Sequence, residues 1–180
     1  MKICMIGTGY VGLVSGACFA DLGNFVYCVD KNKEKIDLLN NNQIPFFEPG
    51  LQELVSKNFS SNRLKFTTNL KLAVKNSDII FICVGTPTSK KSRSADLRHV
   101  FKAATEISKY INKFKVIVTK STVPISTGDK IEKLISKKKR KRLFEIVSNP
   151  EFLREGEAIR DFMYPERIVI GTDSKKVNKI

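Results

Sequence analysis

The chain begins with a short apolar run, residues 2–6, that breaks at three glycines of fixed spacing, Gly7, Gly9 and Gly12, and continues as an apolar stretch of helical period over 11–22. Few local patterns restrict a fold more. A strand that turns at once into a helix needs unusual backbone angles at the turn, which Gly7 can adopt. Gly12 lets the helix lie close against the strand, and Gly9 leaves the backbone bare where a phosphate can approach. The free N–H groups and the positive end of the helix dipole face that point, so the turn suits an anion. Alone, G-x-G-x-x-G is a weak signal, because glycines also serve ordinary turns; its position between strand and helix makes it specific.

The same alternation runs down the chain. Residues 25–29, 64–67, 79–84, 116–119 and 144–147 read as further strands, and 33–40, 97–111 and 128–135 as helices with apolar residues three and four apart. Asp96 stands where a helix N-cap is expected, and Pro49-Gly50 and Gly85-Thr86-Pro87 punctuate the connections. Beyond the sixth strand, residues 150–164 read as helical from Phe152, and the apolar run 167–171 as an extra strand before a polar tail, 173–180. Strands that are apolar along most of their length, alternating with helices, predict one α/β domain over 1–180: a doubly wound, Rossmann-like parallel sheet with helices on both faces. Residues 89–94, with Lys90, Lys91 and Arg93, read as a mobile loop.

The second run ends in Asp30, 23 positions after Gly7. That is close to the separation at which such folds place an acidic residue on the adenosine ribose. A carboxylate there accepts from a free 2′-hydroxyl and repels a 2′-phosphate, so NAD⁺ is favoured over NADP⁺. Lys31 and Lys35 temper the exclusion, since a nearby cation can meet a phosphate.

A net charge of +14 raises the question of a polyanionic partner. The densest basic run, 137–142, directly follows the expected helix 128–135, where cations suit a helix C-terminus; the other basic residues are scattered. Nucleic acid is therefore a minor reading. Cys4, Cys18, Cys28 and Cys83 show no C-x-x-C spacing and no paired histidine, so a zinc site has no support and buried thiols in a reducing cytoplasm are expected. The N-terminal apolar run is too short for a signal peptide, and no run approaches the ~20 residues that cross a bilayer, so a protein without membrane contact is expected.

Beyond these patterns, several blocks occur in a specific order: Gly7-Thr8-Gly9-Tyr10-Val11-Gly12-Leu13-Val14, Pro45-Phe46-Phe47-Glu48-Pro49-Gly50-Leu51, Cys83-Val84-Gly85-Thr86-Pro87 and Ser94-Ala95-Asp96-Leu97. They are followed by Lys120-Ser121-Thr122-Val123-Pro124 and Ser148-Asn149-Pro150-Glu151-Phe152-Leu153-Arg154-Glu155-Gly156. Over essentially its whole length the chain resembles the UDP-glucose/GDP-mannose dehydrogenase family, and the last block looks most like the UDP-glucose branch. Such enzymes oxidise the sugar C6 alcohol to a carboxylate, consuming water and two NAD⁺.

The resemblance implies that Val11, Asp30, Lys35, Thr86 and Thr122 line the NAD⁺ site together with Gly7, Gly9, Tyr10 and Gly12 of the glycine loop. It further implies that Glu151, Phe152, Leu153, Arg154 and Glu155 run beside the nucleotide sugar, with Glu155 also near the nicotinamide. Thr122 and Glu151 would help hold the hydrolytic water, and Glu155 would exchange protons as a partly desolvated carboxylate. From the residues alone, Glu151 could equally be a charge at a helix start and Glu155 part of a solvated helix face.

Two departures matter. The family's nucleophilic Cys, with its assisting Lys, Asn and Asp, belongs to a later glycine-rich segment that these 180 residues do not contain, as do a dimer-forming central helix and a UDP-binding domain. Where the family usually has an Asp-Gly pair, this chain has Lys90-Lys91-Ser92-Arg93. The sequence is thus expected to be the N-terminal NAD-binding part of the enzyme, truncated or split. Its alternatives are a stand-alone NAD-binding module or decayed fragment, and a basic nucleic-acid-associated protein.

Overall fold

The computed structural model describes residues 1–88, 94–175 and 177. Six strands form a single sheet: β1 (Lys2–Ile6), β2 (Phe25–Val29), β3 (Leu64–Thr67), β4 (Ile79–Ile82), β5 (Lys115–Thr119) and β6 (Phe144–Ser148). Their order is β3-β2-β1-β4-β5-β6, with every adjacent pair parallel. The chain works outward from β1 in one direction and then returns to work outward in the other. The crevice between the ends of β1 and β4 is therefore the point where the winding reverses, and where ligands enter sheets of this kind.

Side chains alternate across each strand, so the sheet feeds two cores. Ile3 and Met5 of β1 belong to one, with helices α1 (Tyr10–Asp21), α2 (Lys33–Asn40), α3 (Leu51–Ser60) and α7 (Ala158–Met163); Cys4 and Ile6 belong to the other, with α4 (Leu70–Asn76), α5 (Arg98–Tyr110) and α6 (Thr127–Ser136). The fold is thus the doubly wound α/β sheet expected from the alternation. Strand and helix limits agree with the sequence reading to within two residues where both exist. β5 starts one residue early, at Lys115, a buried lysine whose charge interrupts the apolar run; its Nζ donates to the Ser77 carbonyl at the end of α4. Asp96 does hold the start of α5, accepting from the Arg98 amide at 3.0 Å, although Leu97 occupies the cap position.

Two expectations are corrected, and two helices are added. Residues 167–171 do not form a strand: only Gly171 pairs, in an antiparallel bridge with Ser148, while Ile168, Val169 and Ile170 stay exposed. Apart from that bridge to the end of β6, Arg167, Ile168 and Ile170 line a cavity together with Phe162 and Met163 of α7. The helix expected from Phe152 starts only at Ala158, because the Glu151 carboxylate accepts from the nearby Leu153 amide and Gly156 takes φ +88°. Helices α3 and α4 were not foreseen. In α3 the buried Asn58 breaks the apolar pattern, and α4 is a seven-residue helix whose clearest signal is Asn69, which accepts from the Leu72 amide.

The basic run 137–142 follows the end of α6, with Lys141 paired to Glu132 and Lys139 donating to the Ile111 carbonyl. All four cysteines are buried and free. No described helix is long and apolar enough to cross a membrane. The expected loop 89–94 lies outside the described residues except for Ser94, and so do residues 176 and 178–180 of the expected polar tail.

Candidate functional site

The segments that follow β1, β2, β4, β5 and β6 all leave from one edge of the sheet and carry every cofactor and substrate residue expected from the sequence. The three glycines do distinct jobs there. Gly7 sits at φ +102°, and a Cβ on it would lie 2.8 Å from the Cys83 carbonyl oxygen. A Cβ on Gly12 would come within 1.9 Å of the Gly7 carbonyl oxygen, so α1 rests directly on the turn. Around Gly9, by contrast, the Cβ position has nothing within 4 Å. Gly9 is the N-cap of α1 and no side chain caps the helix, which leaves Tyr10 and Val11 at an uncapped, positive helix end beside open space.

Asp30, directly beyond β2, is tied to this loop. Its Oδ2 accepts from both the backbone N–H and the hydroxyl of buried Thr8, each at 2.9 Å, and its Oδ1 accepts from Asn32 N at 3.0 Å. Burial alone would raise the Asp30 pKa, but these donors, with Lys35 Nζ 3.6 Å away, outweigh it and hold the carboxyl below its ordinary range. A carboxylate offers about four acceptor positions, so Oδ1 keeps one for a hydroxyl. Open backbone at Gly9 and a free acceptor on Asp30 fit a dinucleotide with an unmodified ribose.

Thr86, after β4, donates to the Thr122 carbonyl at 3.1 Å, bringing these two expected residues together. Ser121 fastens the same two loops, its hydroxyl donating to the Val84 carbonyl at 2.7 Å. After β6, Glu151 is half-buried, whereas Glu155 is exposed on the turn before α7. The partial desolvation expected of Glu155 is thus not supplied by the protein, because the turn faces solvent. Arg154 directs its guanidinium away, onto Asp161 at 2.7 Å, and its amide donates to the same carboxylate. Phe152 is exposed, and Leu153 is half-buried.

Two residues of the site were not recognised as such. Lys120 is 6% exposed and donates to Asn149 Oδ1 at 3.1 Å, joining the ends of β5 and β6. Burial lowers its pKa, partly offset by Cys83 and Glu151. Glu48, 5% exposed, accepts from Tyr10 Oη and from the amides of Gly156 and Ala158. Burial would raise the Glu48 pKa, but these donors bring it below the ordinary carboxylate range. Both residues lie within the sequence blocks, yet their roles depend on partners 29 to 110 positions away. A cavity of about 720 Å³ opens below Lys120, Asn149 and Glu151, floored by Phe81, Val118 and Val147. It receives the rim of the Glu151 segment but not the glycine loop, as expected if a dinucleotide lies in the open crevice at the sheet edge.

The chain is similar to known proteins over its whole length. The chain is 57% identical over 173 residues to the UDP-glucose 6-dehydrogenase of Rhizobium meliloti (strain 1021), covering 96% of the chain and 40% of the relative. It is 53% identical over 180 residues to the UDP-glucose 6-dehydrogenase TuaD of Bacillus subtilis (strain 168), covering 99% and 39%. The chain therefore spans about two fifths of the length of these curated relatives. Among solved structures, a ternary complex of GDP-mannose dehydrogenase from Pseudomonas aeruginosa superposes with a TM-score of 0.95 at 38% identity, covering 99% of this chain and 42% of that one. A UDP-glucose dehydrogenase from Pyrobaculum islandicum gives 0.93 at 38% identity, with 98% and 42% covered. The model of the UDP-glucose/GDP-mannose dehydrogenase family, NAD binding domain, matches residues 1–180, and with the glycine loop and Asp30 already in place the chain belongs to that family.

Proposed function

We propose that this chain is the NAD⁺-binding part of an enzyme that oxidises UDP-glucose to UDP-glucuronate. The observation that carries the reading is the open backbone at Gly9 combined with an Asp30 carboxylate that Thr8 ties to the same loop. Asp30 would accept from the adenosine ribose, with Lys35 beside it, and the start of α1 at Tyr10 and Val11 would hold the pyrophosphate. Thr86 and Thr122, already joined, would border the nicotinamide end. Bound NAD⁺ supplies a hydride acceptor, and two molecules together with one water account for oxidation of an alcohol to a carboxylate.

The segment after β6 serves the sugar in this reading. Glu151, Phe152, Leu153, Arg154 and Glu155 would flank the substrate, with Arg154 contributing mainly backbone because its side chain is committed to Asp161. Thr122 and Glu151 would help hold the water. Glu155 would exchange the proton: a sugar nucleotide over its turn would strip away water, and burial is the effect that raises a carboxylate pKa towards neutrality. Four buried free thiols suit a reducing compartment, and the cytoplasm is the proposed location.

Calorimetric titration of the 180-residue chain tests the cofactor half. Saturable binding of NAD⁺ with weaker binding of NADP⁺ is expected; equal binding of the two, or none, would overturn it. Backbone amide resonances of residues 151–155, followed by NMR as UDP-glucose is added at saturating NAD⁺, test the sugar half; resonances that do not move would remove its support.

A further inference from the structure

Glu155 carries the proton exchange in the reading above, yet its side chain makes no hydrogen bond within the protein among the described residues, so something else must set where it stands. One pair of residues meets the backbone on either side of it, and Glu48 holds the far side. Tyr10 Oη lies 3.3 Å from the Arg154 carbonyl oxygen, and Glu48 accepts from the Gly156 amide at 2.8 Å and the Ala158 amide at 2.8 Å. The pair is itself closed by a 2.5 Å hydrogen bond from Tyr10 Oη to Glu48 Oε2. Tyr10 is also the first residue of α1, inside the glycine loop. One carboxylate thus links the candidate phosphate loop to the turn that presents Glu155, 108 positions along the chain from Gly156.

The chemistry favours a taut link. Glu48 is buried and acceptor-only, so each of its three donors is a charge-assisted bond of the strong kind. Burial, the bond to Glu48 and the nearby Glu155 carboxylate keep the Tyr10 hydroxyl protonated, so it remains a donor at every physiological pH. Phe46 packs on the Tyr10 ring, with centroids 5.3 Å apart, and restricts its swing. Through Glu48 the Tyr10 side chain is thus connected to the Gly156 amide.

We propose that Glu48 is a positioning residue that couples occupancy of the glycine loop to the placement of Glu155, a role that rests on the proposed NAD⁺ site. Amide exchange at Gly156 and Ala158, read by NMR in the 180-residue chain with and without saturating NAD⁺, tests it. In the wild type NAD⁺ slows both by about tenfold, the scale of one charge-assisted hydrogen bond. Glu48→Gln removes an acceptor, and Tyr10→Phe cuts the link while leaving both amide bonds to Glu48; either abolishes the NAD⁺-dependent ratio. A purely structural cap would raise exchange in Glu48→Gln equally with and without NAD⁺ and would leave Tyr10→Phe responsive. If Glu48→Gln fails to fold, Tyr10→Phe alone decides. An unchanged ratio in the variants, or no ratio in wild type saturated with NAD⁺, overturns the coupling and leaves the cofactor reading intact. A calorimetric blank for NAD⁺ on folded wild type overturns both.

Discussion

Alanine at Gly9 and at Gly12 separates what the glycine loop does for the fold from what it does for a ligand. At Gly12 the new Cβ would lie 1.9 Å from the Gly7 carbonyl oxygen, 3.0 Å from its carbon and 3.2 Å from the Cys83 Cβ. Two of these neighbours are backbone, and Gly7 cannot retreat because its amide donates to the Val29 carbonyl at 2.8 Å. The helix must lift off the strand, which places the cost at or beyond the upper end of overpacking, about 3 kcal/mol. For a domain of this size that lowers Tm by about 6–12 °C.

At Gly9 the outcome reverses. Its φ of −73° is ordinary for alanine, and nothing stands within 4 Å of the new methyl. The remaining cost is that of a poorer N-cap residue, at most about 1 kcal/mol. The methyl does fill the space through which the pyrophosphate would approach, so NAD⁺ affinity falls by at least about tenfold, equivalent to ~1.4 kcal/mol. Thermal unfolding and calorimetric titration of both variants give the comparison. Wild-type affinity in Gly9→Ala would refute the assignment of that space to the cofactor, and an unchanged Tm in Gly12→Ala would refute the packing account.

Three other outcomes follow from the same geometry. Asp30→Asn puts an amide N–H against the Asn32 amide and removes the ribose acceptor; NAD⁺ affinity should drop about 10- to 100-fold, from a charged hydrogen bond of ~1.5–3 kcal/mol, and the preference over NADP⁺ should narrow by calorimetry. Because its folded pKa is depressed, Asp30 contributes stability that is present above the unfolded carboxyl value near ~4 and lost as pH falls through the lower folded value. Urea unfolding across acid pH should show a larger loss in wild type than in the variant, since Asp21, Glu48 and Asp78 are depressed in both. At the opposite end of the sheet, burial depresses the Lys115 pKa to about 8. At this site the unfolded chain binds one more proton from pH ~8 to ~10.4, so Lys115 adds a contribution that rises with pH by at most about 3 kcal/mol. Thiols that ionise only on unfolding contribute in the opposite direction, so the wild-type minus Lys115→Met difference in urea unfolding isolates it. Finally, burial pushes Cys18 and Cys83 up to about 12 and Cys4 and Cys28 higher than their ordinary value, so none of the four should react with a thiol reagent until the chain unfolds; rapid labelling of the native protein would contradict their burial.

What could be read in advance was what local periodicity encodes. Each strand of the sheet carries its own apolar run, and the glycine loop and Asp30 are tied by spacing, so the fold and the cofactor end of the site were legible. What depended on partners far along the chain was not. Asn58 is a buried polar residue that makes sense only once Asp21 and Arg63 are beside it. Residues 152–157 satisfy a helical pattern, but Glu151 captures a nearby amide and Glu48 reaches across from another block to take those of Gly156 and Ala158. The run 167–171 has strand composition, yet β propensity expresses itself only against a partner strand, and here a single bridge to Ser148 is formed.

The thiols define which part of the proposed chemistry these residues can perform. Cys83 is the one that matters, since it follows β4 beneath the glycine loop and feels both Lys120 and Glu151. Proximity to a lysine would ordinarily favour a thiolate, but burial dominates and drives the pKa to about 12. Its side chain is also part of the packing against Gly12, so exposing it would open the cofactor turn itself. A covalent step through sulfur therefore needs a thiol other than Cys4, Cys18, Cys28 and Cys83. In the proposed reading the ends of β1, β2, β4 and β5 would hold the dinucleotide and the turn after β6 would present a carboxylate for proton exchange, while any sulfur nucleophile would have to be a thiol other than these four.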